Sequence, residues 1–238
     1  FMGYSDNTNL THLLATLADT ASVYGPCAGA FGMEPWHESL QDALGILRGN
    51  MTAGRFVLEG YDKWEKESLK GEENPLAPYH LTEPRRICSF VGRERTKEPL
   101  RFEGRLLGGC MDCLVNLLGT RFDRTREFTE RYGKDGIIWF LEACDLNVFA
   151  VRRAMWQMEE AGWFGNVRGF LFGRPRNGEQ LMNLDAYDAV LEVAGPKNVP
   201  VIMDVDLGHL PPMMPIVTGS MAEVAVKEND IRVEMRCI

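Results

Sequence analysis

The stretch Val199-Pro-Val-Ile-Met-Asp-Val-Asp-Leu-Gly-His-Leu-Pro-Pro-Met-Met-Pro-Ile-Val-Thr-Gly-Ser220 decides how this chain is read. It opens on a run from Val199 to Met203 that is apolar, partly β-branched and bounded by polar residues, the pattern of a buried strand. That strand runs into Asp204, Asp206, Gly208 and His209. In an open α/β sheet, ligands meet the carboxyl ends of strands, so a chemical group is expected here. Gly208 lets the backbone turn tightly, and Pro211, Pro212 and Pro215 stiffen the loop beyond it. A histidine held on such a loop can act as a general base. A loop histidine that only hydrogen-bonds the backbone has the same local pattern.

Working upstream, two further units repeat the pattern. Ile137-Ile-Trp-Phe-Leu-Glu142 reads as a buried strand ending in a carboxylate, followed by an amphipathic helix from Asn147 to Ala161. Val167 to Phe172 is another strand, and Leu184 to Ala194 another helix, before the strand at Val199. This β-α-β-α-β order predicts parallel strands joined by right-handed crossovers. Glu142 and His209 then lie at strand carboxyl ends on one edge of one sheet. A carboxylate beside a histidine holds one imidazole tautomer and stabilises the imidazolium during proton transfer. The alternative for Glu142 is an ion pair with Arg152 or Arg153.

Nearer the start, Leu10, Leu13, Leu14 and Leu17 have the spacing of one buried helical face, and a second helix is expected from about Trp36 to Arg48. Gly60 to Pro84 is polar, with Pro75, Pro78 and a charge run, and reads as a surface excursion in which Trp64 and Tyr79 could line a ligand or anchor the loop. Arg86 to Gly92 and Leu100 to Leu106 resemble a strand pair, and Gly108-Gly109 is expected to open a helix. Glu223 to Arg236 reads as a β-hairpin at a sheet edge. The chain starts abruptly inside a strand–helix unit, which suggests the later part of a longer protein. Residues 1–35 are read as the remnant of an N-terminal α/β domain and its linker, and 36–238 as a C-terminal α/β domain.

The 238 residues are 45% hydrophobic and 25% charged, as expected of a globular fold, and the net charge of −8 argues against nucleic acid or an anionic membrane as partner. Six scattered cysteines read as reduced core thiols of a cytoplasmic protein. Cys110-Met-Asp-Cys113 has C-x-x-C spacing, but no second ligand pair follows for a metal.

Gly3-Tyr-Ser-Asp-Asn-Thr8, Gly104 to Gly119, Phe140-Leu-Glu142, Ala161-Gly162, Gly169 to Gly173, and Gly208-His209 followed by Pro215 and Gly219 come in one order along the chain. Together they resemble the LD-carboxypeptidase family of serine peptidases, which includes the microcin C immunity-type hydrolases. The resemblance implies that His209 is the general base and Glu142 its orienting acid. It also implies a homodimer without metal or cofactor that cleaves murein L,D-tetrapeptides or peptidyl and aminoacyl nucleotide conjugates. Ser5 and Asp6 are expected to line the pocket, with Trp64 (or Trp36) against the substrate, while the attacking serine and its oxyanion glycines are expected upstream of Gly3. On that reading this chain alone is inactive. A peptide- or nucleotide-binding protein on the same scaffold is the alternative.

Overall fold

A central sheet carries the site because the runs that form its middle strands are buried on both faces toward their carboxyl ends. The computed structural model describes residues 1–237. The first part comprises β1 (Met2–Gly3), α1 (Thr8–Ala18), β2 (Ser22–Tyr24), α2 (Glu38–Leu47), β3 (Phe56–Glu59), β4 (Lys63–Trp64), β5 (Glu83–Pro84), β6 (Cys88–Val91) and β7 (Glu94–Thr96). The middle holds β8 (Leu100–Cys110), α3 (Met111–Leu117), α4 (Thr125–Arg131), β9 (Ile137–Glu142), α5 (Val148–Glu160) and β10 (Val167–Gly173). Then come α6 (Ala186–Ala194), β11 (Pro200–Val205), β12 (Ile216–Thr218), β13 (Met221–Lys227) and β14 (Asp230–Arg236).

Nine strands form one sheet in the order β3-β14-β13-β8-β9-β10-β11-β6-β7. Strands β8, β9, β10 and β11 run parallel, which is the α/β core expected from the element order. The terminal hairpin β13–β14 pairs antiparallel, as its alternating pattern implied, but it is not the sheet edge: β13 lies on β8 and β14 carries β3 outside it. Strand β6 does not pair with β8, contrary to the sequence expectation: it lies antiparallel to β11 at the far side. Local pattern finds strands but not their neighbours, because the pairing partner is chosen by packing across the sheet.

Strand alternation divides β9 between two cores. Trp139 and Leu141 pack under α3, α5 and α6. Ile138 and Phe140 face the opposite side, against Tyr24 of β2 and the hairpin. Glu142 follows in the same alternation and so emerges toward β2, which joins β1 in parallel and β12 antiparallel to make a small second sheet.

Helix α1 is rotated from its expected face, with Leu13 and Leu14 only half-buried. Its buried residues are Thr8, Thr11, His12, Ala15 and Thr16, whereas Leu10 and Leu17 are exposed. The polar face is turned inward because it has partners there. Thr8 Oγ1 accepts from the Cys110 N–H at 3.0 Å, and His12 Nε2 lies 2.9 Å from Thr125 Oγ1. His12 Nδ1 lies 3.4 Å from the Gly108 carbonyl, and the ring stacks on Trp163 at 5.4 Å. One neutral tautomer, protonated at Nδ1, satisfies both contacts.

Burial pushes the His12 imidazole down from 6.5 to about 4. The unfolded chain therefore binds this proton first as pH falls. Stability from a neutral His12 is complete above pH 6.5 and is lost as pH falls toward 4, about 2 kcal/mol by pH 5 and about 3 kcal/mol by pH 4. Urea midpoints at pH 7.5 and pH 5 should show this loss, and His12→Gln should remove about one proton from the pH dependence. An unchanged slope in the variant would show that His12 is not the group responsible. No described helix is long and apolar enough to cross a membrane.

Candidate active site

Three residues far apart in sequence meet at the carboxyl edge of the parallel strands. Glu142 ends β9, His209 follows β11, and Ser5 lies between β1 and α1. His209 Nδ1 is 2.9 Å from Glu142 Oε2, and His209 Nε2 is 3.0 Å from Ser5 Oγ. With the imidazole protonated at Nδ1, it donates to Glu142 and accepts from the Ser5 hydroxyl. Glu142 is 1% exposed at its side chain and His209 10%, so the pair works largely out of water. Glu142 pairs with neither Arg152 nor Arg153: its carboxylate is taken by His209 and Tyr24, and Arg152 pairs with Glu192.

Each group is held by its element. Ser5 has φ of 59°, a left-handed conformation that is strained for a serine, at a strand-to-helix turn. Such a turn projects the side chain away from the backbone and precedes a helix whose N-terminus favours negative charge. The loop bearing His209 is braced by Asp206, which pairs with Arg174 and accepts from the Tyr61 N–H at 2.8 Å. Arg174 also donates to the Asp204 carbonyl at 2.7 Å, and Tyr4 flanks the imidazole at 5.0 Å between ring centroids. Glu142 Oε1 accepts from the Tyr24 hydroxyl at 2.6 Å.

Cys110 also lies here, level with Glu142 across β8 and β9. Cys110, Glu142 and His209 offer potential metal-ligand atoms within 4.8 Å of one another. Both Glu142 oxygens and His209 Nδ1 already bond each other or Tyr24, however. The Cys110 thiol is pushed far up by its hydrogen bond with Cys113 and by burial, which keeps it a thiol rather than a thiolate ligand.

A cleft of about 610 Å³ opens beside His209 and Tyr4. The Gly60–Pro84 excursion forms one wall, docked onto the His209 loop by the Glu65 N–H, which donates to the Pro211 carbonyl at 2.7 Å. Tyr79, Lys66, Lys70 and Arg176 line the cleft. These three cations make no ion pair among the described residues, whereas the one lining carboxylate, Glu65, accepts from the backbone of His80. On a chain of net charge −8, this local excess of cations focuses an anionic ligand toward His209.

The structure thus brings together His209 and Glu142 and adds Ser5. The attacking serine was expected upstream of Gly3, yet this chain itself sets a hydroxyl against the imidazole, that of Ser5 at 3.0 Å. The resemblance gave Ser5 and Asp6 only as pocket lining; the signal available for more was their place between a strand and a helix. Asp6 is exposed beside Ser5, with its carboxylate 3.6 Å from Cys113 Sγ. Trp64 is not among the cleft-lining residues; the Arg174 guanidinium stands over its ring at 5.1 Å. Trp36 donates to the Phe31 carbonyl at 3.0 Å.

A hydroxyl, an imidazole and a buried carboxylate in line form the relay of a serine-type hydrolase. The LD-carboxypeptidase C-terminal domain matches residues 103–224, more than half of the chain, and the chain belongs to that family. The microcin C7 self-immunity protein MccF of Escherichia coli is 23% identical over 241 residues, covering 98% of this chain and 64% of that protein. The chain therefore spans less than two thirds of this relative's length. Its fold superposes on MccF in complex with glutamyl sulfamoyl guanosine with a TM-score of 0.75, at 21% identity, over 100% of this chain and 67% of the other. The muramoyltetrapeptide carboxypeptidase of Oxalobacter formigenes gives a TM-score of 0.67 at 18% identity, over 100% of this chain and 68% of the other.

Proposed function

We propose that this chain carries the nucleophile, general base and orienting acid of a serine-type carboxypeptidase-like amidohydrolase. The observation that carries the reading is the continuous contact Ser5–His209–Glu142 at a cleft edge. Ser5 Oγ attacks the scissile carbonyl while His209 Nε2 takes its proton. Glu142 holds the Nδ1–H and stabilises the imidazolium. The backbone N–H of Asp6, the first after the nucleophile at a helical start, donates to the developing oxyanion. His209 then protonates the leaving amine and activates the water that releases the acyl group.

The substrate is an acyl compound with an anionic leaving group, either the L,D-amide of a murein tetrapeptide or a peptidyl or aminoacyl nucleotide. The cations at the cleft favour that charge, and the reading is supported by an MccF complex with glutamyl sulfamoyl guanosine and by likeness to a muramoyltetrapeptide carboxypeptidase. The boundary near residue 35, a homodimer and a cytoplasmic location belong to the same proposal. The Ser5–His209 contact favours an enzyme over a binding protein.

A serine-directed fluorophosphonate tests the nucleophile directly. Mass spectrometry should place the adduct on Ser5, and labelling should fall in the presence of a competing peptidyl nucleotide or tetrapeptide. An adduct on another serine, or undiminished labelling of His209→Ala, rejects the assignment.

A further inference from the structure

The hydrogen bonds at the relay close into a ring, and one member of that ring neither attacks nor carries a proton to substrate. Ser5 Oγ meets His209 Nε2 at 3.0 Å, and His209 Nδ1 meets Glu142 Oε2 at 2.9 Å. The Tyr24 hydroxyl donates to Glu142 Oε1 at 2.6 Å, and the Ser5 backbone N–H donates to the Tyr24 hydroxyl at 3.3 Å. One phenol therefore touches both ends of the relay.

We infer that Tyr24 is a positioning residue that fixes the plane of the Glu142 carboxylate and the turn bearing Ser5 through a single hydroxyl. The inference rests on the roles proposed for Ser5, His209 and Glu142. A carboxylate bonded only through Oε2 can rotate about its last side-chain bond and lose its line to the imidazole. A second bond at Oε1 removes that freedom. The phenol itself is rigidly placed. Tyr24 is fully buried, packs on Phe140 at 5.4 Å between ring centroids, and lies opposite Gly3 in the β1–β2 register. That register sets its hydroxyl beside the turn that follows β1. Burial, together with the negative charge of Glu142, holds the phenol well above its ordinary titration range, so it stays a donor.

Tyr24→Phe keeps the ring and deletes the bond. The expected result is a fall in kcat of roughly 10- to 100-fold, the range seen when the outer partner that orients a metal-bound histidine is lost. KM should stay within about twofold, since Tyr24 is fully buried and does not line the cleft. In a Glu142→Gln background the same change should cost almost nothing further, because the two residues act as one unit. A merely structural role predicts equal losses in both backgrounds, and that result overturns the inference. So does a Tyr24→Phe enzyme with kcat within twofold of the parent while Ser5→Ala is inactive. Activity surviving in Ser5→Ala would instead strike at the proposed function itself. A second measurement leaves Tyr24 in place. Its buried hydroxyl proton should give a downfield NMR resonance that moves on Glu142→Gln, and a resonance indifferent to that change overturns the inference without recourse to the Phe variant.

Discussion

Ser5→Ala should lower kcat by roughly 10⁴- to 10⁶-fold, about 5–8 kcal/mol of transition-state stabilisation, with KM little changed. The effect is large because, on the proposed mechanism, Ser5 Oγ is the atom from which the acyl-enzyme forms. His209→Ala should cost about as much as Ser5→Ala, and the double variant hardly more, because a relay missing either member has lost the same step. Kinetics of all three on one substrate check this. Additive losses would mean that Ser5 and His209 act separately, and the 3.0 Å contact between them would then be incidental to catalysis. The substitution should be mild for the fold. Ser5 is half-buried in a left-handed turn, and alanine tolerates that backbone no worse than serine.

The parallel core was readable because β9, β10 and β11 are continuous apolar runs separated by helices of clear 3.6-residue period. The run ending in Glu142 and the loop holding His209 follow from that topology alone. Ser5 was legible only as a position on a turn: its neighbours in sequence do not say which loop will stand opposite. Tyr24 left no signal at all. Its hydroxyl finds Glu142 because β1 and β2 pair in one register, and a register is a property of two strands together. The leucines of α1 misled for a related reason. Their spacing marks an apolar stripe, but the inward face was claimed by Thr8, His12 and Thr16, whose donors and acceptors meet Cys110, Gly108, Thr125 and the backbone of the helix itself. A buried face is chosen by what lies across from it, and specific hydrogen bonds there outweigh apolar count on a helix that leaves Leu10 and Leu17 exposed and Leu13 and Leu14 half-buried.

Gly208→Ala should be the most damaging change to the site that removes no functional group. Gly208 has φ of +91°, so any side chain is strained there, and the added Cβ would lie 2.5 Å from Glu142 Oε2 and 2.7 Å from Glu142 Cβ. Oε2 is the oxygen that holds His209 Nδ1. Neither side can give way cheaply. Glu142 is fixed at Oε1 by Tyr24, and the loop is pinned by the Asp206 carbonyl, which accepts from the Met214 N–H at 2.7 Å. The carboxylate must therefore leave its line to the imidazole, and kcat should fall by roughly 10²- to 10³-fold, about 3–4 kcal/mol. Gly219→Ala separates strain from contact. Gly219 has φ of +85°, but its added Cβ would meet only the Ala15 Cβ, at 3.9 Å. That variant should lose about 1–2 kcal/mol of stability with kcat nearly intact. Gly208→Ala should lose comparable stability or somewhat more and nearly all its activity. Equal kcat in the two variants, measured beside their urea midpoints, would show that the relay does not depend on the space glycine leaves beside Glu142.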